Sequence, residues 1–268
     1  MNYFPDGQLN FESKYKQGTQ NITCRLSTWA DFQYMLAEAA YQKKLGQTVS
    51  LYSPYVIGSR SDREFSEYGI NYLKSVISPL INQQNFRYVK ILDGHSLALH
   101  GAIDRLVDDS PISNIMRAIN DIGVDQISII SPDFGAYKKV WGICQEINRL
   151  TSGTIDIDFV SCEKIRSLSG EILHTKVSHT PKFQNTIIID DICDGGRTFV
   201  EISKALTGYT GRLFLWVTHG IFSKGLEELT THFDHIYTTN SIQDINSEME
   251  FGKSNKIYLK KLTQYKVI

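Results

Sequence analysis

Apolar and polar positions alternate along this chain in two rhythms. Short runs rich in β-branched residues, Thr48–Tyr52, Tyr88–Leu92, Gln126–Ile130, Ile155–Val160, Thr186–Asp190 and Leu213–Val217, read as strands. Longer stretches between them suit helices: Trp29–Leu45, Glu64–Ile81, Ala136–Leu150 and Thr198–Leu206. The first has a hydroxyl residue, Ser27 or Thr28, to cap it and Gly46 to stop it. Strand and helix in alternation predict an α/β fold built on parallel sheet.

The rhythm divides into two α/β units, 1–109 and 110–242, meeting where Asp, Asp, Ser and Pro cluster at Asp108–Pro111. A polar tail, 243–268, ends in a strand-like Lys256–Leu259 and is expected to pack back on the first unit. Composition narrows the partners. A net charge of −1, with no basic run longer than a pair such as Lys138–Lys139, gives no field to draw nucleic acid or membrane. No stretch approaches the apolar length of a membrane span. Met1–Asp6 has neither the charged nor the apolar region of a secretory signal. Cys24, Cys144, Cys162 and Cys193 lack CxxC spacing and read as free thiols of a reducing compartment, so the expected location is cytoplasmic.

In open parallel sheets, ligands sit at the carboxyl ends of strands. Four polar groups follow strands here: Asp93-Gly94-His95, Ser131-Pro132-Asp133, Asp190-Asp191 and Thr218-His219. The most informative segment is Asp190-Asp191-Ile192-Cys193-Asp194-Gly195-Gly196-Arg197-Thr198. Loop amides and a helix N-terminus suit an anion. Two adjacent acids repel phosphate but accept hydrogen bonds from the vicinal hydroxyls of a ribose. A sugar phosphate satisfies both halves, although an ordinary strand–turn–helix with turn glycines has the same outline.

This loop resembles the ribose-phosphate loop shared by type I phosphoribosyltransferases and ribose-phosphate pyrophosphokinases. Other segments select the second family. Phe4-Pro5-Asp6-Gly7-Gln8 resembles its F-S-D-G-E, and Pro54–Arg63 is similar to P-Y-x-x-Y-A-R-Q-D-R. Asp93-Gly94-His95 resembles D-L-H, Ser131–Gly135 S-P-D-x-G, Glu163-Lys164-Ile165-Arg166 D-K-R-R, and Thr218–Ser223 T-H-P-I-F-S. Each alone fits a turn, a cap or a charged surface loop. Their shared order carries the resemblance.

The resemblance implies two parallel-sheet units of the type I phosphoribosyltransferase-like fold and a Mg2+- and ATP-dependent pyrophosphokinase. Phe4, Asp6, Gln8, Arg60, Asp62 and His95 would then bind ATP, with His95 and Asp133 on Mg2+. Asp190, Asp191, Asp194, Gly195, Gly196, Arg197 and Thr198 would hold a 5′-phosphorylated ribose. Lys164 and Arg166, on a mobile loop, and Arg60 would stabilise the group in transfer. The family's subunits share the adenine site, which implies a homo-oligomer with ATP at a subunit interface.

This chain also departs from the family. The first strand–helix unit before F-S-D-G-E is missing, and Gln8, Ser61, Gly94 and Gly220 replace Glu, Gln, an apolar residue and Pro. In the phosphate loop Gly195 stands for a threonine and Arg197 for a glycine. The first change removes a donor and is expected to open space, and the second adds a long cation. Both suit a 5′ substituent larger than a monophosphate, as in ADP-ribose, as well as simple drift with Arg197 in solvent.

Overall fold

The computed structural model describes residues 2–15, 19–64, 66–166, 172–245 and 261–268. Among these the chain forms two compact units, 1–110 with 267–268, and 111–266.

The first unit opens with an antiparallel hairpin of β1 (Asn2–Tyr3) and β2 (Leu9–Asn10). A parallel sheet of β3 (Asn21–Thr23), β4 (Ser50–Tyr52), β5 (Val89–Leu92) and β6 (Leu106–Asp109) follows, in that order. Helix α1 (Trp29–Lys44) crosses from β3 to β4. Its start is set by a capping box, in which Thr28 accepts from the Asp31 N–H while the Asp31 carboxylate accepts from the Thr28 N–H. Gly46 follows in the left-handed conformation at φ 72°. Ile22, Phe32, Met35, Leu51, Ile77 and Val89 meet in one core. Burying each such side chain stabilises by roughly 1.5–3 kcal/mol.

The expected helix 64–81 is much shorter. A π-helical turn at Leu73–Ile77 runs into α2 (Ser78–Asn82). Asn71 explains the late start: its Oδ1 accepts from the Lys74 N–H at 2.9 Å, and its Nδ2 donates to the Asp62 carbonyl at 2.6 Å. An Asn that serves as a cap competes with helix on its N-terminal side. A short α3 (Ala98–Ala102) precedes β6.

The second unit begins with α4 (Ile112–Ile122), ended by Gly123 at φ 72°. Then come β7 (Gln126–Ser131), α5 (Tyr137–Leu150), β8 (Asp156–Arg166) and β9 (Ile172–Val177). β10 (Asn185–Cys193), α6 (Arg197–Ala205), β11 (Arg212–Gly220), α7 (Glu227–His232), β12 (His235–Thr239) and β13 (Leu262–Tyr265) complete it. Among the described residues the strands form one sheet ordered β13-β12-β11-β10-β7-β8-β9, parallel except for β9. Alternation along β10 explains its apolar run. Ile187 and Ile189 join the core with α4 and α5, and Ile188 joins the core with α6. A parallel strand covered on both faces has no polar side to show.

The tail corrects its expectation. Leu262–Tyr265 adds to the second unit's sheet beside β12 rather than returning to the first unit. Tyr265 fixes it there, donating to Asp121 Oδ2 on α4 at 2.6 Å beneath the Arg117 guanidinium, 4.2 Å from the ring centroid. The last two residues group with the first unit. The strand-like Lys256–Leu259 lies outside the described residues.

Candidate active site

β10 carries Asp190 and Asp191 inside its ladder, because pairing continues through Ile192 with His219 and Cys193 with Gly220. The strand therefore runs on to Cys193, past the end of its apolar run. Asp191 is buried, and Lys139 Nζ, in the first turn of α5, lies 3.6 Å from its Oδ2. Desolvation, the adjoining Asp191 charge and, more weakly, Asp133 push the Asp190 carboxyl well above the usual carboxylate range. Asp133 itself lies in the turn before α5, its Oδ1 accepting from the Ala136 N–H at 3.1 Å. Three acids thus share one neighbourhood at the strand ends of β7 and β10.

The loop after β10 is tightly specified. Gly196 has φ 79° and forms the N-cap of α6. A Cβ built there would lie 3.0 Å from Leu229 Cδ2. Glycine is required twice over, by the left-handed backbone and by the buried Leu229 of α7. The segment after β11 wraps this loop. Ile221 and Phe222 donate their N–H groups to the Cys193 carbonyl at 2.9 and 3.2 Å. Ser223 donates its N–H to the Asp194 carbonyl at 3.1 Å and its hydroxyl to Asp194 Oδ1 at 2.5 Å. Thr218–Ser223 and the Asp190–Thr198 loop are one built unit. A Cβ on Gly220 would run into the Phe222 ring, which explains glycine where the related motif has proline.

One predicted consequence of the altered loop comes out differently. The space expected beside Gly195 is occupied, since a Cβ there would lie 3.1 Å from Lys224 Cγ. The lysine stem lies across the glycine. Arg197 is exposed in the first turn of α6, while Thr198 is partly buried.

Elsewhere in this unit, Lys164 and Arg166 were expected on a loop. They lie instead on the β8 ladder, opposite Thr175 and Ile172 of β9. In the first unit, Phe4-Pro5-Asp6-Gly7-Gln8 forms the tip of the β1–β2 hairpin. Phe4 donates its N–H to the Gln8 carbonyl at 2.8 Å, and Asp6 Oδ1 accepts from the Gln8 N–H at 3.0 Å. The Phe4 ring is half exposed. Arg60 and His95 are exposed. Asp62 lies within electrostatic reach of His95. Its partial burial works against ionisation, yet the Arg63 guanidinium, hydrogen-bonded to it at 2.9 Å, chiefly holds its carboxyl below the usual range, with His95 a smaller contribution.

Gly94 has a reason of its own. Its N–H donates to Asp108 Oδ1 at 2.9 Å, and a Cβ would sit 2.7 Å from Asp108 Oδ2. Among the described residues no group of three or more His, Cys, Asp or Glu is arranged to hold a metal. No described helix is long and apolar enough to cross a membrane.

Lys139 and Lys224 escaped the sequence reading. Lys139 had a usable signal, because a cation in the first turn of the helix that follows a strand-end acid returns to that acid's neighbourhood. Lys224 had none, as only the packing places its stem on Gly195.

No protein-family model matches the chain. A ribose-phosphate pyrophosphokinase of Mycoplasmopsis pulmonis is 22% identical over 258 residues, spanning 93% of this chain and 78% of the relative. That of Mycoplasma genitalium is 23% identical over 255 residues, spanning 90% and 74%. Over most of its length the chain is thus similar to ribose-phosphate pyrophosphokinases. The fold agrees: the crystal structure of phosphoribosylpyrophosphate synthetase from Mycobacterium smegmatis superposes with a TM-score of 0.70 at 13% identity, covering 99% of this chain and 85% of that one. Of the motifs that carry the resemblance, the Asp190–Thr198 and Thr218–Ser223 segments lie on and beside the β10–β11 ladder.

Proposed function

We propose that this protein acts as the ribose-phosphate pyrophosphokinases it resembles, transferring the β,γ-pyrophosphoryl group of ATP to the C1 hydroxyl of ribose 5-phosphate and giving phosphoribosyl pyrophosphate and AMP. The observation that carries this reading is the continuous element from Asp190 to Thr198. It presents carboxylates for a sugar diol and helix amides for a phosphate within one hydrogen-bonded loop.

In this reading Asp190 and Asp191 accept from the ribose hydroxyls, and the 5′-phosphate lies on the amides of Gly195–Thr198. The C1 oxygen forms a bond to the β-phosphorus in line. The bond from that phosphorus to the oxygen bridging it to the α-phosphorus breaks, that oxygen leaves with AMP, and the C1 proton is lost to solvent. Lys164, Arg166 and Arg60 offset the charge of the group in transfer. Phe4, Asp6 and Gln8 would face adenine, and the exposed hairpin tip suits completion by a second copy of the chain. Carboxylate oxygen is the donor Mg2+ prefers. Asp133 and His95 are the residues proposed to hold Mg2+, which supplies charge neutralisation on the phosphates when bound.

A second reading has one supporting observation. Arg197, exposed in the first turn of α6, puts a long cation beside the loop. That suits a 5′-extended acceptor such as ADP-ribose, whose product would be a pyrophosphorylated ADP-ribose for NAD synthesis.

Incubation with ATP and Mg2+, offering ribose 5-phosphate and ADP-ribose separately, tests both by AMP release and product mass. AMP with ribose 5-phosphate supports the first reading, and AMP with ADP-ribose alone supports the second. AMP with neither leaves a phosphoribosyltransferase or regulatory role. Lys164→Ala is expected to lower kcat by about 100- to 1,000-fold, and an unchanged rate would remove Lys164 from the mechanism.

A further inference from the structure

Lys139 stands where helix electrostatics disfavour it. It lies in the first turn of α5, near the positive end of the helix dipole, and that turn carries no acidic residue. A cation there loses stability unless something outside the helix compensates it. The compensating group is Asp191, whose Oδ2 is 3.6 Å from Lys139 Nζ. Lys138, one residue earlier, is exposed and serves as an internal comparison.

The pairing has a chemical use. Asp190 and Asp191 are adjacent acids on one strand, and like charges side by side turn carboxylates away from each other. A carboxyl turned away is a poor acceptor for a sugar hydroxyl. A cation 3.6 Å from Asp191 counters that repulsion. Asp191 is buried, so its carboxylate bears more of the desolvation cost once the cation is removed.

We infer that Lys139 is a positioning residue for the acceptor: it holds Asp191 for the ribose diol and sets acceptor affinity, not the rate of transfer. This rests on the pyrophosphokinase reading above.

The test compares wild type with Lys139→Ala, Lys139→Arg and Lys138→Ala. AMP-release kinetics are combined with calorimetric binding of ribose 5-phosphate, and thermal melting confirms that each variant is folded. Lys139→Ala is expected to raise the acceptor KM and Kd by about 10- to 100-fold, with kcat and the ATP KM within about threefold. Lys139→Arg should return both acceptor constants to within about threefold of wild type, and Lys138→Ala should match wild type. Should Lys139→Ala not fold, Lys139→Met keeps the stem and removes only the charge.

The inference is overturned if acceptor affinity stays within about twofold, if kcat falls while the acceptor KM holds, or if arginine fails to rescue. Indifference to Lys139 in an active wild type defeats this inference alone. A wild type that neither binds ribose 5-phosphate nor releases AMP defeats the reading beneath it as well.

Discussion

The two units present their proposed ligands in different ways. In the second, Asp190 and Asp191 sit on the ladder that β10 continues with β11 beyond its pairing with β7, and the following loop is tied to Ser223 and packed on Leu229. In the first, Phe4, Asp6 and Gln8 occupy a hairpin tip, while Arg60 and His95 lie exposed in turns. The proposed acceptor half is preorganised by the strands themselves. The proposed ATP half is displayed on surface segments. Preorganisation costs conformational freedom once, during folding, so a rigid acceptor site binds without further ordering.

One substitution made in both places breaks or sustains that contrast. Gly196 and Gly7 are both left-handed, at φ 79° and 85°. An added Cβ at Gly196 meets Leu229, whereas nothing lies within 4 Å of one at Gly7. Gly196→Ala should cost about 3 kcal/mol of global stability, adding overpacking to backbone strain. It should also weaken ribose 5-phosphate binding about 100-fold, as the loop shifts. Gly7→Ala should cost about 1 kcal/mol locally and leave the urea midpoint almost unmoved. Equal costs in urea unfolding would mean that the loop is no better fixed than the hairpin.

Carboxylates within the second unit sharpen the point further, because rigidity there is not uniform crowding. Asp190 is pushed up by burial and by neighbouring acids, but Asp158 is surrounded by donors. Burial works to raise Asp158, yet the Lys182 N–H at 3.0 Å, His179 Nε2 at 2.9 Å and the Ser128 hydroxyl at 2.9 Å hold it below the usual range. A depressed folded value gives stability that is complete above the unfolded pKa, about 4. That stability is lost as pH falls through the folded value. Asp158→Asn should therefore cost about 2 kcal/mol at pH 6, with the gap to wild type closing below about pH 4. A gap that persists undiminished at about pH 3 would show that shape, not charge, ties this corner.

How much of this was legible from residues alone follows the same division. The β10 element was readable because its apolar run, paired acids and glycines obey local rules that the ladder reinforces. Its end was not, because pairing with His219 and Gly220 carries the strand past its apolar stretch. Helix 64–81 was over-read, since Asn71 acts through side-chain hydrogen bonds that periodicity does not encode. β13 was missed because a short edge strand is recruited by β12 and Tyr265 rather than by its own pattern. Lys224 was invisible for the same reason: its role arises from a contact far from neighbouring sequence.

Gly94 asks whether a departure from family pattern can be structural, with no bearing on ligand choice. The related motif has an apolar residue here, but in this chain the Asp108 carboxylate fills the place of the side chain. Its Oδ2 lies 2.7 Å from where a Cβ would stand, with Ile91 and Leu99 at 3.0 and 3.1 Å. Asp108 also accepts the Gly94 N–H and lies 3.6 Å from His100. Gly94→Leu should cost about 1–2 kcal/mol through overpacking, because Asp108 must leave both partners. Asp108→Ala alone should cost about 1 kcal/mol, the net worth of an exposed charged hydrogen bond. The double variant should then be more stable than the sum of the two, since removing the carboxylate makes room for the leucine. A non-additive recovery of about 1 kcal/mol in urea unfolding would identify Gly94 and Asp108 as one exchanged pair. Strict additivity would leave the glycine unexplained by its neighbour, and the first unit's turns would then be looser than their contacts indicate.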